Sequence, residues 1–213
     1  MRTIEKPRAE VELVRRILRS DLYEFVRATF PTVAGGATFL PNWHIEAIAY
    51  ALTRVMQGET KRLIITVPPR SLKSICASVA FPAFVLGRNP TRRIIGVSYA
   101  ESLSRKHAND CRALMKSPLY RQVFPGTRIS PAKDTELEVT TTRGGFRLAT
   151  SVGGTLTGRG GNLIIIDDPM KPQAQPPCYC AGGRGHLAWA EYILPLQARR
   201  AVASRARAAA HSR

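Results

Sequence analysis

Three short runs of mostly β-branched aliphatic residues, separated by segments long enough to form helices, constrain the fold of this chain most strongly. They lie at 63–67 (LIITV), 93–99 (RIIGVSY) and 163–166 (LIII). Uninterrupted apolar runs of this length are typical of strands buried on both faces, as in parallel sheets. Strands that alternate with helices predict an α/β fold, a three-layer sandwich with a mainly parallel sheet covered by helices on both faces.

Helical periodicity accounts for most of the remaining sequence up to residue 150. Apolar residues recur at helical spacing in four segments, which predicts helices over 9–29, 42–56, 73–86 and 101–115. Pro31 follows the end of the first helix. Two further strands are predicted over 135–141 and 145–150, followed by a glycine-rich loop over 153–161.

The charge balance narrows the class of partner. The 213 residues carry 32 Lys and Arg against 15 Asp and Glu, a formal net charge of +17. Such an excess indicates a polyanionic partner, either nucleic acid or an anionic membrane surface. No apolar run approaches the ~18 residues of a membrane span, and the charged N-terminus is unlike a signal peptide. Four cysteines are too few for a disulfide framework, so we expect a reducing compartment, the cytoplasm.

The composition changes abruptly near residue 173. In residues 174–213, Ala, Arg, Pro and Gly make up 23 of 40 positions, Glu191 is the one acidic residue and lysine is absent. One interpretation is a basic, partly disordered extension that binds phosphate backbones without sequence preference. The other, which we favour, is that GC-rich DNA translated out of frame gives this mixture. Residues 1–173 carry a net charge of +12 and the tail +5, so the basic character belongs mainly to the domain.

The first segment with a chemical signature lies between the strand at 63–67 and the following helix. Backbone N–H groups at such a junction bind phosphates. Lys73 would reach the β- and γ-phosphates of ATP, and the Ser74 hydroxyl would bind Mg²⁺. The general phosphate-loop pattern has glycines where Val67 and Leu72 stand, so the segment alone is a weak match. A Lys-Ser pair that opens a helix is more often a solvated helix end.

The second signature is a pair of aspartates at the end of the last strand. Asp167 would hold Mg²⁺, and Asp168 would orient or deprotonate an attacking water. Taken alone, the pair is equally consistent with carboxylates that cap a turn. The two signatures in this order, with a βαβ pattern between them, predict a nucleoside triphosphatase. The 94-residue gap between Lys73 and Asp167 leaves room for an intervening strand, as in the additional-strand class of these ATPases.

The strings RLIITVPPRSLKS, FPAFVLGRNPTRRIIGVSYAESLSRKHANDCRALMKSPLYRQVFP and GGTLTGRGGNLIIIDDPMKP resemble the ATPase domain of a tailed-phage terminase large subunit. That family often replaces the usual glycines with Pro-Pro-Arg-x-x-Lys-Ser, as here at 68–74. The resemblance covers roughly 39–172 and implies a P-loop NTPase fold of the additional-strand class. It also implies a motor in which ATP hydrolysis drives double-stranded DNA into a procapsid.

The resemblance also assigns roles to individual residues. Its phosphate loop corresponds to Pro69, Arg70, Ser71, Leu72, Lys73 and Ser74. Within that loop, Arg70 is a candidate for sensing or stabilising the γ-phosphate. Trp43 could stack on adenine, although an aromatic residue at a helix start is as often a packing residue. Arg159 is a candidate arginine finger toward a neighbouring subunit, a role for which Arg143 and Arg147 compete.

The resemblance divides the chain into an N-terminal helical segment (1–38), a partial ATPase domain (39–173) and the aberrant tail (174–213). In the family, a further strand with a coupling motif and a nuclease domain follow the two aspartates. Here Glu191 is the one carboxylate beyond them, so we expect no nuclease activity, and the loss of a strand leaves ATP hydrolysis itself open. An incomplete sheet exposes an edge, which favours aggregation.

The implied partners are double-stranded DNA, a terminase small subunit, a portal and other copies of the chain in a ring. Such a protein would be prophage-encoded and act in the cytoplasm of a bacterial host. The alternatives are a non-enzymatic, basic DNA-binding protein and a helicase of another P-loop family. Cys178 and Cys180 fit no zinc spacing that we would accept, and His107 is expected to be a surface residue.

Overall fold

A computed structural model describes residues 8–154 and 159–170, which form an α/β structure around an open five-stranded sheet. The helices are α1 (Arg8–Ser20), α2 (Leu22–Val33), α3 (Trp43–Gln57), a π-helical segment (Ile75–Ala80) continuous with α4 (Phe81–Arg88), α5 (Glu101–Lys116) and α6 (Pro118–Val123). The strands are β1 (Arg93–Ser98), β2 (Ile129–Asp134), β3 (Glu138–Thr141), β4 (Phe146–Ser151) and β5 (Leu163–Ile166).

The sheet has the strand order β2-β3-β4-β1-β5. β1 lies between β4 and β5 and pairs in parallel with both. β2 and β3 extend the sheet by antiparallel pairing on the β4 side. The predicted α/β class is therefore confirmed, and the parallel strands β4, β1 and β5 are the part of the sheet that positions the candidate site. β2 and α6 were not predicted from the sequence.

The predicted helix over 9–29 is two helices. Asp21 interrupts it with an extended backbone, and its carboxylate accepts a hydrogen bond from the Glu24 N–H (3.1 Å), an N-cap for α2. Apolar spacing runs unbroken across this junction, since Leu18, Leu22 and Phe25 are all buried. Pro31, expected beyond the helix, lies inside the last turn of α2.

The predicted strand at 63–67 pairs with no other strand among the described residues, and in this respect the prediction was wrong. Burial nevertheless alternates along it: Leu63, Ile65 and Val67 pack against the core, whereas Ile64 is exposed. β5 likewise has β1 on one side and no described partner on the other. The predicted helical cover on both faces is not met at β5, where Ile164 and Ile166 are exposed.

The hydrophobic core joins the N-terminal helices to the sheet domain. Phe25 of α2 packs against Phe84 of α4 (ring centroids 5.3 Å apart) and against Phe124 (5.7 Å). Tyr120 lies beside the same rings and donates its hydroxyl to the Ala83 carbonyl (2.9 Å). Residues 8–38 thus contribute to one core with the sheet domain, while the predicted tail 174–213 lies outside the described residues. Among the helices described, none combines the length and apolar character that crossing a bilayer requires.

The open edge at β5 gives a first prediction. Ile164 is 59% exposed, whereas its neighbour Ile165 packs against the core. We expect Ile164→Lys to reduce aggregation, because a charge on an exposed edge strand discourages pairing with a second chain. Ile165→Lys introduces the same charge on the packed face and should cost about 2 kcal/mol or more of unfolding free energy. Light scattering against protein concentration and thermal unfolding measure the two effects; equal behaviour of the variants would contradict the assigned faces.

Candidate nucleotide-binding site

The two aspartates are fixed at the carboxyl end of the parallel strands. The backbone N–H of Asp167 donates to the Val97 carbonyl, and the N–H of Tyr99 donates to the Asp168 carbonyl, both at 2.9 Å. These bonds continue the parallel pairing of β1 and β5 past the last residue of β5. The carboxyl edge of the strands is where open α/β sheets bind their ligands.

Lys73 reaches both aspartates. It lies two residues before the π-helical segment, and its Nζ is 3.1 Å from Asp167 Oδ1 and 2.7 Å from Asp168 Oδ1. Lys73 and Asp168 are 95 positions apart in the sequence. The fold thus brings together the two signatures that the sequence singled out separately.

Asp167 is the buried member of the pair, with 5% of its side chain exposed. The Ser78 hydroxyl donates to its Oδ2 at 3.0 Å. Burial raises the pKa of Asp167, but hydrogen bonding from Ser74, the charge and hydrogen bond of Lys73, and the Ser78 hydroxyl together hold that pKa below its ordinary value. Asp167 is therefore an ionised carboxylate. It lies beside Ser74, whose hydroxyl is predicted to bind the same Mg²⁺.

Asp168 has a different environment, since 55% of its side chain is exposed. Lys73 between the two carboxylates is desolvated, which lowers its pKa, but hydrogen bonds to Asp168 and the charge of Asp167 outweigh this and raise the pKa overall. The ammonium is accordingly charged at neutral pH. One buried and one solvent-facing carboxylate suit two different tasks, ion binding and contact with water.

The backbone of this site is locally strained. The non-glycine residues with positive φ in the described ranges are Arg70 (64°), Leu72 (58°) and Asp168 (47°), and all three belong to the site. Leu72 stands where the general phosphate-loop pattern has glycine, and it adopts the left-handed conformation that glycine supplies there. Such residues cost about 1–2 kcal/mol each and cluster at functional sites. Of the two positions where the general pattern has glycine, Leu72 has the left-handed backbone and Val67 does not.

Arg70 allows the strain to be separated from the side chain. We expect Arg70→Gly to be more stable than Arg70→Ala by about 1 kcal/mol, because glycine adopts positive φ without a Cβ penalty. Both variants lose the guanidinium and should lose any ATP turnover equally. Urea unfolding compares the stabilities; identical midpoints would show that position 70 is not left-handed in solution.

Three further residues predicted for the site, Pro69, Ser71 and Trp43, lie at or near the surface. Pro69 is exposed and Ser71 is half-buried in the loop ahead of Lys73. Trp43 is the first residue of α3, is 78% exposed and lies edge-on to His44. Its ring is therefore outside the hydrophobic core, and stacking on adenine stays a prediction.

The three candidate arginine fingers occupy different environments. Arg159 precedes β5, at the opposite end of that strand from Asp167, and forms an ion pair with Glu138 (2.8 Å). It is not beside Asp167 and Asp168 of its own chain, so a catalytic role would have to be exerted on a neighbouring subunit. Arg143 is exposed between β3 and β4. Arg147 is 2% exposed, which removes it from the candidates for a residue that reaches another subunit.

Two residues near Asp167 were missed by sequence reasoning. His107, expected at the surface, is buried in α5 with its Nδ1 3.8 Å from Asp167 Oδ2. Burial lowers the pKa of His107, the Asp167 charge opposes this, and Arg147 adds to the lowering. Ser78 was not singled out at all. His107 has a detectable signal in retrospect, because it shares the helical stripe of Ala108, Cys111 and Leu114, all buried.

The donors at this site fit a magnesium ion better than a softer metal. Within the described parts of the chain, no group of three or more His, Cys, Asp or Glu side chains is arranged to hold a metal ion. Mg²⁺ in nucleotide sites needs one or two protein oxygens, with water and phosphate oxygens completing the shell. The adjoining Ser74 hydroxyl and Asp167 carboxylate provide such oxygens.

No protein-family model, curated protein or solved structure matches this chain. The resemblance to terminases therefore rests on the sequence motifs at 62–74, 81–125 and 153–172. Any function has to be inferred from the geometry of the site. That geometry has three parts: a strand-end pair of aspartates, a lysine in contact with both, and a strained loop ahead of the lysine.

Proposed function

We propose that this chain is an ATP-binding and ATP-hydrolysing domain of the P-loop type, related to the motor domain of tailed-phage terminase large subunits. The observation that carries the proposal is the contact of Lys73 with both Asp167 and Asp168 across 95 positions of sequence. A solvated helix end or a pair of turn-capping aspartates gives no reason for this contact. A nucleotide site does, because the same three side chains must surround one triphosphate.

In this proposal, the triphosphate binds over the loop 68–74 and takes the place of the carboxylates as the partner of Lys73. The lysine is charged and its stem is anchored at the helix start, so its Nζ can move to the β- and γ-phosphate oxygens. Arg70 extends from the strained loop toward solvent and contributes a second cation for the γ-phosphate. Trp43 stacks on the base.

Ser74 and Asp167 would hold the Mg²⁺, which when bound neutralises charge on the β- and γ-phosphate oxygens. The Ser78 hydroxyl keeps the Asp167 carboxylate oriented. Asp168 faces solvent and accepts the proton of the attacking water at its carboxylate oxygen. The water oxygen forms the new bond to the γ-phosphorus, and the bond to the β–γ bridging oxygen breaks, which yields ADP and phosphate.

The biological setting follows from the resemblance alone. The domain would act on double-stranded DNA in the bacterial cytoplasm, as one subunit of a ring that works with a terminase small subunit, a portal and a procapsid. The net charge of +12 in residues 1–173 supports a polyanionic partner. In the ring, Arg159 is the candidate that would reach the triphosphate of the next subunit.

Phosphate release with and without duplex DNA tests this proposal. We expect Mg²⁺-dependent turnover of ATP that disappears on addition of EDTA and increases with DNA. A second function, DNA binding without turnover, is favoured by one observation. Among the described strands, β5 has no partner on its outer edge, where the resemblance implies a further strand with the coupling motif for ATP hydrolysis. Mg²⁺-dependent binding of ATP without any phosphate release would select this second function, and absence of ATP binding would overturn the first.

A further inference from the structure

The amino-terminal edge of the sheet, opposite the aspartates, carries a cluster of exposed basic side chains. Arg92 precedes β1 and Arg93 begins it, Arg128 precedes β2, Arg143 lies between β3 and β4, and Arg159 precedes β5. β3 is antiparallel to β4 and β2 to β3, so these five positions meet at the same edge. Lys133 joins them across the face of β2 and β3. We call these six residues the basic edge surface.

Backbone hydrogen bonds hold this surface together. The N–H of Phe146 donates to the Arg92 carbonyl (3.0 Å), and the N–H of Thr142 donates to the Arg128 carbonyl (2.9 Å). Asn162 is bonded twice to Arg93, through its own N–H (2.8 Å) and through its side-chain oxygen (2.9 Å). The arginines therefore project from a fixed frame, whatever the mobility of their side chains.

Most of this charge is not neutralised. Within the described ranges, Arg159 is the one member of the surface with an ion-pair partner, Glu138, while the other five have none. Many basic residues on the helices are paired instead, including Arg19 with Glu12, Lys106 with Asp110, and Lys116 with Asp134. The positive charge at the sheet edge is thus mostly unpaired, whereas many basic residues on the helices are neutralised by acidic neighbours.

The surface includes a pocket of about 260 Å³. Arg93, Lys133 and Arg159 line it together with Glu138, and the register neighbours Arg93 and Phe146 form its floor. Pockets for drug-sized ligands hold about 300–1,000 Å³, so this one suits a smaller group. Three cationic side chains around a small open pocket favour a phosphate.

We propose that the basic edge surface binds the phosphate backbone of double-stranded DNA, with one phosphate in the pocket between Arg93, Lys133 and Arg159. From β3 to β5 the edge spans about 14 Å, over which a duplex presents roughly eight phosphate charges. The inference rests on the proposed function for the role of DNA, but it needs no nucleotide.

Duplex binding by fluorescence anisotropy, without nucleotide and over a salt series, tests the proposal on the full chain. The triple variant Arg92→Gln, Arg93→Gln, Arg143→Gln should bind at least ~10-fold more weakly, and its salt slope should fall by about 3. The matched control removes three exposed arginines from α1 and α6: Arg8→Gln, Arg16→Gln and Arg121→Gln. Equal losses in both triples would overturn the proposal, since overall charge would then explain binding.

A variant that is expected to bind DNA more tightly separates a specific effect from misfolding, because misfolding would weaken binding. Glu138→Gln removes the one acidic side chain of the pocket and releases Arg159, so binding should tighten severalfold and the salt slope should rise by about 1. Glu136→Gln, an exposed carboxylate outside the pocket, is the matched control and should change little. An unchanged affinity of Glu138→Gln would overturn the proposal. So would binding to phosphatidylserine-containing vesicles that exceeds binding to the duplex and depends on the same arginines.

Discussion

Replacing Lys73 by alanine should reduce ATP turnover by about 10²–10³-fold, because the charge that stabilises the transferred phosphoryl group is lost. The ammonium lies 3.1 Å from the Asp167 carboxylate and 2.7 Å from the Asp168 carboxylate. Its loss therefore also leaves two neighbouring carboxylates without their shared cation. Steady-state phosphate release measures the first effect. Lys73→Arg retains the charge and is the control for folding.

The same substitution should shift unfolding in acid. The folded-state pKa of Asp167 is lowered, so its ionised form stabilises the fold above about pH 4, and that stability is lost as pH falls through the lowered value. In Lys73→Ala a main cause of the lowering is gone, so the pKa of Asp167 rises and acid unfolding should begin at a higher pH. Circular dichroism against pH measures this midpoint. A midpoint unchanged from that of the unmodified chain would contradict the ion pair.

Replacing Asp168 by asparagine should abolish turnover while leaving nucleotide binding intact. Asparagine has the same shape and also tolerates the left-handed backbone found at this position (φ 47°), so the fold is preserved. It cannot accept the proton of the attacking water, a loss of about 10²–10⁴-fold. Phosphate release and ATP binding, measured on one preparation, separate the two effects.

The neighbouring aspartate is the matched control. Asp167→Asn removes the buried carboxylate that would hold Mg²⁺, so binding of Mg²⁺-ATP itself should weaken. The two variants thus differ in the step that they impair. Turnover by Asp168→Asn equal to that of the unmodified chain would show that Asp168 is not the base.

The elements that carry the site could be predicted because each is encoded locally. The run LIII with two following aspartates defines β5 and its carboxylates, and apolar spacing defines the helix that begins at Lys73. The contact between them could not be predicted from strand order, because the run at 63–67 that precedes Lys73 pairs with no other described strand. The α/β class and the local elements were therefore accessible without coordinates, whereas the contact of Lys73 with both aspartates was not.

What could not be predicted depends on distant parts of the chain. The run at 63–67 was predicted to be a strand buried on both faces, but burial alternates along it. Strand pairing also needs a neighbour, and none is present among the described residues. His107 was assigned to the surface because Arg105 and Lys106 precede it, although it lies on the buried stripe of α5. Arg92 and Arg159 share one edge because β1 and β5 pair in parallel, and Arg128 joins them through the antiparallel addition of β2 and β3. No sequence motif predicts such a surface.

The central claim, that Lys73, Asp167 and Asp168 surround a triphosphate, is tested most directly by calorimetric titration with a non-hydrolysable ATP analogue. This measurement needs binding alone, so it does not depend on the state of the outer edge of β5. We expect saturable binding at one site per chain that requires Mg²⁺, is retained in Asp168→Asn and is lost in Lys73→Ala. Absence of binding to the folded chain, or binding that survives Lys73→Ala, would contradict it.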